Sequence, residues 1–588
     1  MSTYFALTIG PIYETISSAR TTREMWASSY MFSYIIKHLV EDLKNEGMDI
    51  LLPCPDFVHT RNYVGAGIYP DRIIAKSNCT QENVHKIIDE ILKRFAENIM
   101  HHLDKKNHLI SHSFSVNGSA SQQDGILDYL QRYIRVYYIC KELDENKDNI
   151  INSLYPFLDS LELTPRVLQT ENFPETTYIR LLENSFSKAH IRISPLRLFT
   201  DLVNSSFLID DGLGTAEERR RLVLPPKRNF STLNEIATVE LKQINPDSYK
   251  EFEDAVQDEI NETWQVEIEK DRISSVEGKT EFDNIQILRN KFGDKFKTYH
   301  NYMAIVHADG DNVGKIIKSM TNVRDSQNNI VNQEVALKAF SKILTNYSID
   351  ATKLIADYGA TPVYIGGDDL FFFAPVASLK KSTNQWMNIF DLISELDILF
   401  NSKIRDQTEY QYGLPADKQP SLSYGISITY RKFPLYEARN ISYFLMKYTA
   451  KEKMKRNAIG ITLLKSSGHD ISFEISKKQP EVFIKFLTLI QSRINTKENF
   501  INSITYKLAS LKEILIQISG NQDRLRSFFK NNFNENYNAN KTFYEALEDF
   551  ILNMSVQNLP ATLLSEDNYS LLYGTLRYIH FLRSNEKE

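Results

Sequence analysis

The chain reads as an α+β protein: an α/β unit with helical insertions at the front, a ferredoxin-like unit in the second half, and an α-helical bundle at the end. Three observations carry this. Residues 300–475 follow the order β-α-β-β-α-β, which is the ferredoxin-like arrangement. The first 140 residues alternate apolar runs of strand length with helical periodicity. Beyond residue 475, apolar positions recur at 3.6 spacing in 480–493 and 501–518.

Tyr4-Phe-Ala-Leu-Thr-Ile-Gly10 is the first strand, interrupted by Pro11, and an amphipathic helix follows from about Thr22 to Asn45. Asp49-Ile-Leu-Leu-Pro53 is a short buried strand, residues 82–104 are helical by period, and Arg132–Cys140 is rich in β-formers. From 150 to 295 the pattern is mostly helical, around an irregular middle near Leu224-Pro-Pro-Lys227. Met303–Ala308 is a strand and 333–358 a long helix. Thr361–Ile365 and Leu370–Ala374 form a hairpin, 384–403 a second helix, and Ser421–Tyr430 the fourth strand. This order is also that of the polymerase and cyclase palm.

The 588 residues suit about three or four domains of roughly 150 residues each. No apolar run of about 20 residues suggests a membrane span, and the N-terminus lacks the pattern of a signal peptide. Three scattered cysteines (Cys54, Cys79, Cys140) form no zinc ribbon and suit a reducing cytoplasm. A net charge of −6 excludes a simple basic nucleic-acid coat, so any RNA contact must be local.

The chemistry concentrates at two strand ends. Asp309-Gly310-Asp311-Asn312 ends the first strand of the second unit, and Gly366-Gly367-Asp368-Asp369 is the tip of its hairpin. Asp309 and Asp311 are two apart, so an extended strand points both to one side. Gly310 lets a ligand approach the backbone, and the two glycines keep the hairpin tip narrow. In this topology the two ends are neighbours. Four converging carboxylates repel each other unless a cation neutralises them, and oxygen-only donors select Mg²⁺ or Mn²⁺. As an isolated tetrapeptide, Gly-Gly-Asp-Asp would be an ordinary solvated turn; its register with Asp-Gly-Asp favours the metal site.

Gly425, in Ser423-Tyr-Gly425-Ile, allows close backbone approach in the fourth strand. Lys451, near the end of the helix that starts at Pro434, fits either a triphosphate contact or a solvated helix face. Other signals are weaker. His469-Asp470 is incidental without further metal-spaced histidines, and His101, His102, Asp104, His108 and His112 read as a polar helix end and loop. His307 reads as a sheet-surface residue. Arg219-Arg-Arg221 is a solvated run or an RNA contact.

These motifs resemble the large subunit of type III CRISPR RNA-guided effector complexes, specifically the type III-B (Cmr) branch. The resemblance covers most of the chain. Ile9-Gly10-Pro11 and Ala19-Arg20-Thr-Thr22-Arg23-Glu24-Met-Trp26-Ala-Ser28-Ser29-Tyr30 resemble the opening of the family's first palm. The Asp-Gly-Asp-Asn, Gly-Gly-Asp-Asp, Ser423-Tyr-Gly425-Ile and Ala450-Lys451…Arg456-Asn457 segments match its second palm in order and spacing.

The resemblance implies a first palm with helical insertions (1–220), a mostly helical linker domain (221–298), a second, cyclase palm (299–475) and a C-terminal helical domain (476–588). It implies a cytoplasmic, target-RNA-activated enzyme with no membrane attachment that turns ATP into a second messenger. Its partners would be the small subunit, the guide-end-binding subunit, the CRISPR guide RNA and the target RNA. Asp309, Asp311, Asp368 and Asp369 would hold metal, with Asp368 and Asp369 catalytic. Gly310, Asn312, Gly366, Gly367, Ser423, Gly425, Lys451 and Arg456 would contact the nucleotide.

The chain departs from the family pattern in three places. It starts at the first palm, so no nuclease domain is expected, and the zinc-binding cysteines of relatives are absent. Tyr69-Pro-Asp71-Arg72 stands where many relatives have Pro-Asn-Arg. Asp71 would suit a cationic acceptor such as S-adenosylmethionine in place of a second ATP, or is ordinary loop variation.

Overall fold

The computed structural model describes residues 1–163, 231–256, 284–406 and 419–585. Excepted within these are 20–21, 55–65, 78–80, 106–126, 128–129, 132, 331, 466–467, 469, 493–499 and 557–564. The Arg219–Arg221 run, His108, His112, His469 and Cys79 lie outside the described residues, as do the side chains of His101, His102 and Asp104.

In the first unit, strand β1 (Ser2–Gly10) is followed by a short helix α1 (Ile12–Ser18) and the long helix α2 (Thr22–Asn45). Strands β2 (Asp49–Leu52) and β3 (Arg72–Lys76), helix α3 (Gln81–Lys105), strand β4 (Arg135–Leu143) and helix α4 (Ile150–Glu162) complete it. The sheet order is β2-β3-β1-β4, antiparallel throughout, so the first unit is itself ferredoxin-like. The sequence reading contains neither α1 nor β3. The apolar run Arg72-Ile-Ile-Ala-Lys76 is short, and about twenty residues separate it from β2, where a hairpin signal would be sought.

Helices α5 (Leu233–Ala237), α6 (Val239–Ile244) and α7 (Ile285–Phe292) lie between the two sheets in sequence. Leu241, Tyr249, Phe252, Ile285, Leu288 and Phe292 give this region an apolar cluster of its own.

The second unit begins with β5 (Tyr302–Asp311), then α8 (Val313–Met320), α9 (Gln333–Tyr358), β6 (Thr361–Gly366) and β7 (Asp369–Pro375). A small hairpin, β8 (Ala377–Leu379) with β9 (Trp386–Asn388), precedes α10 (Ile389–Phe400). The helix expected from residue 384 therefore starts five residues later. Asn388 and Asp391 form a capping box there, which satisfies the free N–H groups of the first turn.

Strand β10 (Ser421–Tyr430) leads into α11 (Leu435–Phe444), which runs on as a π-helix over Leu445–Lys453. Strands β11 (Ala458–Leu464) and β12 (Ile471–Ser476) extend the sheet. Its order is β12-β11-β10-β5-β7-β6, a ferredoxin-like core with two added strands.

Helices from Pro480 to Arg583 close the chain. The last of them (Glu566–Arg583) packs on β12, where Gly574 meets Phe473, and Tyr302 and Phe390 meet Phe581 and Tyr578 edge-on. One continuous apolar core joins both sheets and this bundle. Among the described residues no helix is long and apolar enough to cross a membrane.

The two sheets meet along a polar and backbone seam. Ile365 N–H donates to the Gly67 carbonyl at 2.7 Å and Gly67 N–H to Val363 at 3.2 Å, so the first unit adds a bridge to edge strand β6. Tyr4 donates to Glu334 at 2.6 Å, Lys76 pairs with the same carboxylate at 3.0 Å, and the Asn149 amide donates to Thr321 at 2.8 Å. These contacts fix the strand ends of one sheet opposite those of the other.

Candidate active site

β5 pairs with β7 on one side and β10 on the other, which carries its C-terminal end between the hairpin tip and the start of β10. Asp368 lies directly on Gly310: a Cβ at residue 310 would stand 2.3 Å from the Asp368 Oδ2. Glycine is the residue that lets the two strand ends touch. Gly366 ends β6, and Gly367, at φ 70°, makes the turn that presents Asp368 and Asp369.

The carboxylates have different surroundings. Asp311 is buried, and its Oδ2 accepts hydrogen bonds from Ser421 (2.8 Å), Ser423 (2.7 Å) and the Asn457 backbone (2.9 Å), while Oδ1 has no hydrogen-bond partner and lies 3.8 Å from Arg456 Nε and 3.9 Å from the Lys451 ammonium. Asp309 takes the Lys451 ammonium at 2.5 Å, and the same ammonium donates to the Gly310 carbonyl at 3.1 Å. Asp369 opens onto a cavity of about 830 Å³ between the two sheets.

Burial and then the Asp309 charge push the Asp368 carboxyl up to about 7. Burial, with Asp309 and Asp368 behind it, holds Asp369 well above the usual carboxylate range. Asp309 is raised by burial, against the pull of Lys451. Crowded acids of this kind favour a countercharge.

Among the described residues no three His, Cys, Asp or Glu side chains converge into a ready metal cage. Lys451 supplies the countercharge in this state. The donor set still suits a hard divalent cation: oxygen only, three mutually repelling carboxylates, and one buried carboxylate oxygen without a hydrogen-bond partner.

The structure brings Asp309, Gly310, Asp311, Gly366, Gly367, Asp368, Asp369, Lys451 and Arg456 together. It assigns three expected nucleotide contacts to other work. Ser423 is fully buried and spends its hydroxyl on Asp311. Gly425 is covered by the helix, since a Cβ there would lie 2.0 Å from the Ser442 carbonyl oxygen and 2.3 Å from the Met446 nitrogen. The close approach read from Gly425 is thus made by helix backbone. Asn312, at φ 63°, bonds the Gln419 carbonyl and Lys315, and faces a second cavity of about 770 Å³ behind the strand ends.

Asp71 lines the main cavity from the first sheet, opposite Asp369, together with Thr8–Ile12, Arg135 and Tyr137. Burial raises its carboxyl against the lowering pull of Arg72. His307 is no sheet-surface residue. It is buried, stacks on Phe371 at 4.3 Å and bonds Ser442 at 2.8 Å.

The sequence reading missed Asn457 and Ser421 as anchors of Asp311. Asn457 closes a run of three left-handed residues, with Lys455 at φ 60°, Arg456 at 73° and Asn457 at 47°. Three such residues in succession are rare outside glycine, and they turn the Asn457 N–H back onto Asp311.

Two facing ferredoxin-like sheets, with paired carboxylates at the strand ends of one, define a two-palm protein of the polymerase and cyclase type. Family models agree on which one. The Cas10/Cmr2 second palm domain matches residues 302–460, and the N-terminal region of the CRISPR-associated protein Cmr2 matches residues 4–104. The chain is 27% identical over 183 residues to the CRISPR system Cmr subunit Cmr2 of Pyrococcus furiosus, over 28% of this chain and 19% of that protein. The match thus spans about a fifth of the curated relative's length.

Among solved structures, a type III-B Cmr-β complex bound to cognate target RNA contains a chain of the same fold. Its TM-score is 0.58 at 13% identity, covering 98% of this chain and 83% of that one. The apo state of Cmr-β gives 0.51 at 14% identity, over 98% and 82%. The matched stretches, residues 4–104 and 302–460, make the chain similar to the Cmr2-type large subunits in both palms.

Proposed function

We propose that this chain is the catalytic large subunit of a type III-B RNA-guided effector, and that it transfers AMP from ATP in the cavity between its palms. The observation that carries this is the meeting of Asp309, Asp368 and Asp369 beside Lys451, at the mouth of a cavity whose far wall is the first palm. Such a cavity has room for two substrates facing each other.

Asp309, Asp368 and Asp369, with Oδ1 of Asp311, would hold Mg²⁺ or Mn²⁺. The metal, when bound, supplies Lewis-acid stabilisation of the phosphates and lowers the pKa of the attacking hydroxyl. Asp311, fixed by Ser421, Ser423 and Asn457, keeps the end of β5 rigid, so that Asp309 holds its place. Gly310 sets Asp368 against the strand. Lys451, which in this state bridges Asp309 and the Gly310 carbonyl, would contact the triphosphate, and Arg456 stands beside it. The acceptor lies against the first palm, near Asp71.

Two products fit. Attack by the 3′-hydroxyl of a second ATP gives an oligoadenylate, cyclic when its ends join. The cavity position of Asp71 favours a second acceptor, a cation such as S-adenosylmethionine, whose adenylation releases pyrophosphate in the same way. A non-catalytic scaffold would have no use for three carboxylates held against their mutual repulsion.

The test is the reconstituted complex with guide RNA, matching target RNA, Mn²⁺ and labelled ATP, with and without S-adenosylmethionine, products resolved by mass. A product that needs S-adenosylmethionine establishes the adenylating reading, and oligoadenylates from ATP alone establish the other. No product under either condition returns the chain to a scaffold.

A further inference from the structure

The most deeply buried cation at the main cavity is not one of the expected nucleotide ligands. Arg439, on α11, heads the fully buried large side chains at 1% exposure, yet it lines the cavity between the palms. Its Nε and Nη2 atoms are buried with no hydrogen-bond partner. Burial lowers the pKa of its guanidinium, and the Tyr13 and Tyr443 hydroxyls oppose that. The Tyr13 ring, from α1 of the first palm, lies 4.5 Å from the guanidinium carbon.

Six acids line the cavity: Glu14 pairs with Arg135, Glu162 with Arg72 and Asp309 with Lys451, and Asp71, Asp369 and Glu452 complete the set, yet among the described residues no carboxylate forms an ion pair with Arg439. A guanidinium buried without a carboxylate is costly, and natural sites accept that cost where an anion arrives from outside. The fork of Nε and Nη2 is the edge that reads two oxygens of a carboxylate or phosphate side by side.

Its place relative to the chemistry is also fixed. Arg439 neighbours His307, whose pKa burial and the Arg439 charge both lower. His307 precedes Asp309 by two residues on β5 and is held by Ser442 of the same helix as Arg439. The Tyr13 ring over the guanidinium packs against Tyr443 (4.8 Å), and His307, stacked on Phe371, lies beside it, so an ion pair at the buried Arg439 would be little screened.

We propose that Arg439 receives an oxyanion group, carboxylate or phosphate, at the non-reacting end of the acceptor substrate, with the Tyr13 ring moving aside to admit it. The inference rests on the nucleotidyl-transfer reading above and adds a binding residue to it. Asp71 and Arg439 would then select an acceptor by opposite charges: the acid takes a cationic centre and the guanidinium an anionic one. An acceptor with an α-amino-acid end offers both, and a nucleoside triphosphate offers the anion alone.

The test measures equilibrium binding to the assembled, target-RNA-bound complex. Its probes are S-adenosylmethionine, decarboxylated S-adenosylmethionine and an α,β-methylene ATP analogue that cannot react. Wild type is compared with Arg439→Gln and Arg439→Lys, with melting temperature and complex assembly recorded for each.

A carboxylate partner predicts that wild type prefers S-adenosylmethionine to its decarboxylated form by about tenfold or more. Gln erases the preference, and Lys, which keeps the charge without the fork, retains part of it. A phosphate partner predicts a similar loss for the ATP analogue in the Gln variant and no effect of decarboxylation. Either pattern supports the proposal. If Arg439→Gln binds all three probes as wild type does, and only its melting temperature falls, Arg439 is mortar between the palms and the proposal is overturned. In that case product formation by wild type leaves the nucleotidyl-transfer reading standing. A wild-type complex that neither binds the probes nor forms product overturns both.

Discussion

The two palms share one topology and differ at the same places. In the second, the end of the first strand is Asp309-Gly310-Asp311 and the hairpin tip is Gly366-Gly367-Asp368-Asp369; in the first, the corresponding strand ends Ile9-Gly10-Pro11, and the connection between β2 and β3 brings Pro70-Asp71. The second palm buries and crowds carboxylates until burial and their repulsion raise them, whereas the first offers a wall of backbone and aromatics in which Glu14 and Glu162 are paired with arginines and Asp71 faces the cavity. A shared fold therefore does not give the two palms the same lining. Strand ends, which tolerate change because the sheet hydrogen bonds lie behind them, carry the difference.

The comparison breaks first at Gly310. Gly310→Ala puts a methyl group 2.3 Å from the Asp368 carboxylate, which must move or swing away. Synthesis by the assembled complex should fall about a hundredfold or more, the cost of roughly an ångström of misplacement. RNA capture should be unchanged.

The matching change in the first palm should act on binding alone. Asp71→Asn should raise the KM for a cationic acceptor about tenfold, the value of one charged contact, and leave kcat near wild type. Steady-state kinetics with varied S-adenosylmethionine reads this. A fall in kcat with unchanged KM would place Asp71 in the chemistry instead and erase the contrast between the palms.

The raised acids give a pH signature. Asp368 titrates at about 7 in the folded chain and near 3.8 as a free group, so the folded state holds the extra proton between those values. The unfolded state binds fewer protons there, and stability from this group is lost as pH rises through the window, then levels off. The melting temperature of the metal-free chain should therefore fall from about pH 5 to pH 8. Asp368→Asn should flatten that slope, and added Mn²⁺ should restore the wild type at pH 8 more than the variant.

The smallest effect concerns the strut under β5. Ser423→Ala removes one of three donors to Asp311 and should cost about 1 kcal/mol of stability, read by urea unfolding. Its effect on synthesis should be a few-fold, because Ser421 and Asn457 still hold the carboxylate.

Local signals were the legible ones. Asp-Gly-Asp and Gly-Gly-Asp-Asp announced themselves because spacing within one strand or turn fixes where their side chains go. The long helices Thr22–Asn45 and Gln333–Tyr358 showed through period alone. Strand β3 did not, since a five-residue apolar run far from its hairpin partner carries little information by itself. Nor did Asn457, whose backbone N–H reaches Asp311 from 146 positions away through a run of left-handed residues that no propensity favours. Gly425 was read correctly as a point of close approach but with the wrong visitor, because sequence does not say whether helix or ligand fills the gap. Arg439 was silent for the same reason: its burial is a property of both palms together.

The most direct test replaces Asp368 and Asp369 together with Ala in the reconstituted effector and follows labelled ATP with guide and target RNA present. The account predicts that nucleotide product disappears while target RNA is still captured with wild-type affinity. Product formation that survives the double substitution would contradict it, and would move the chemistry away from the second palm.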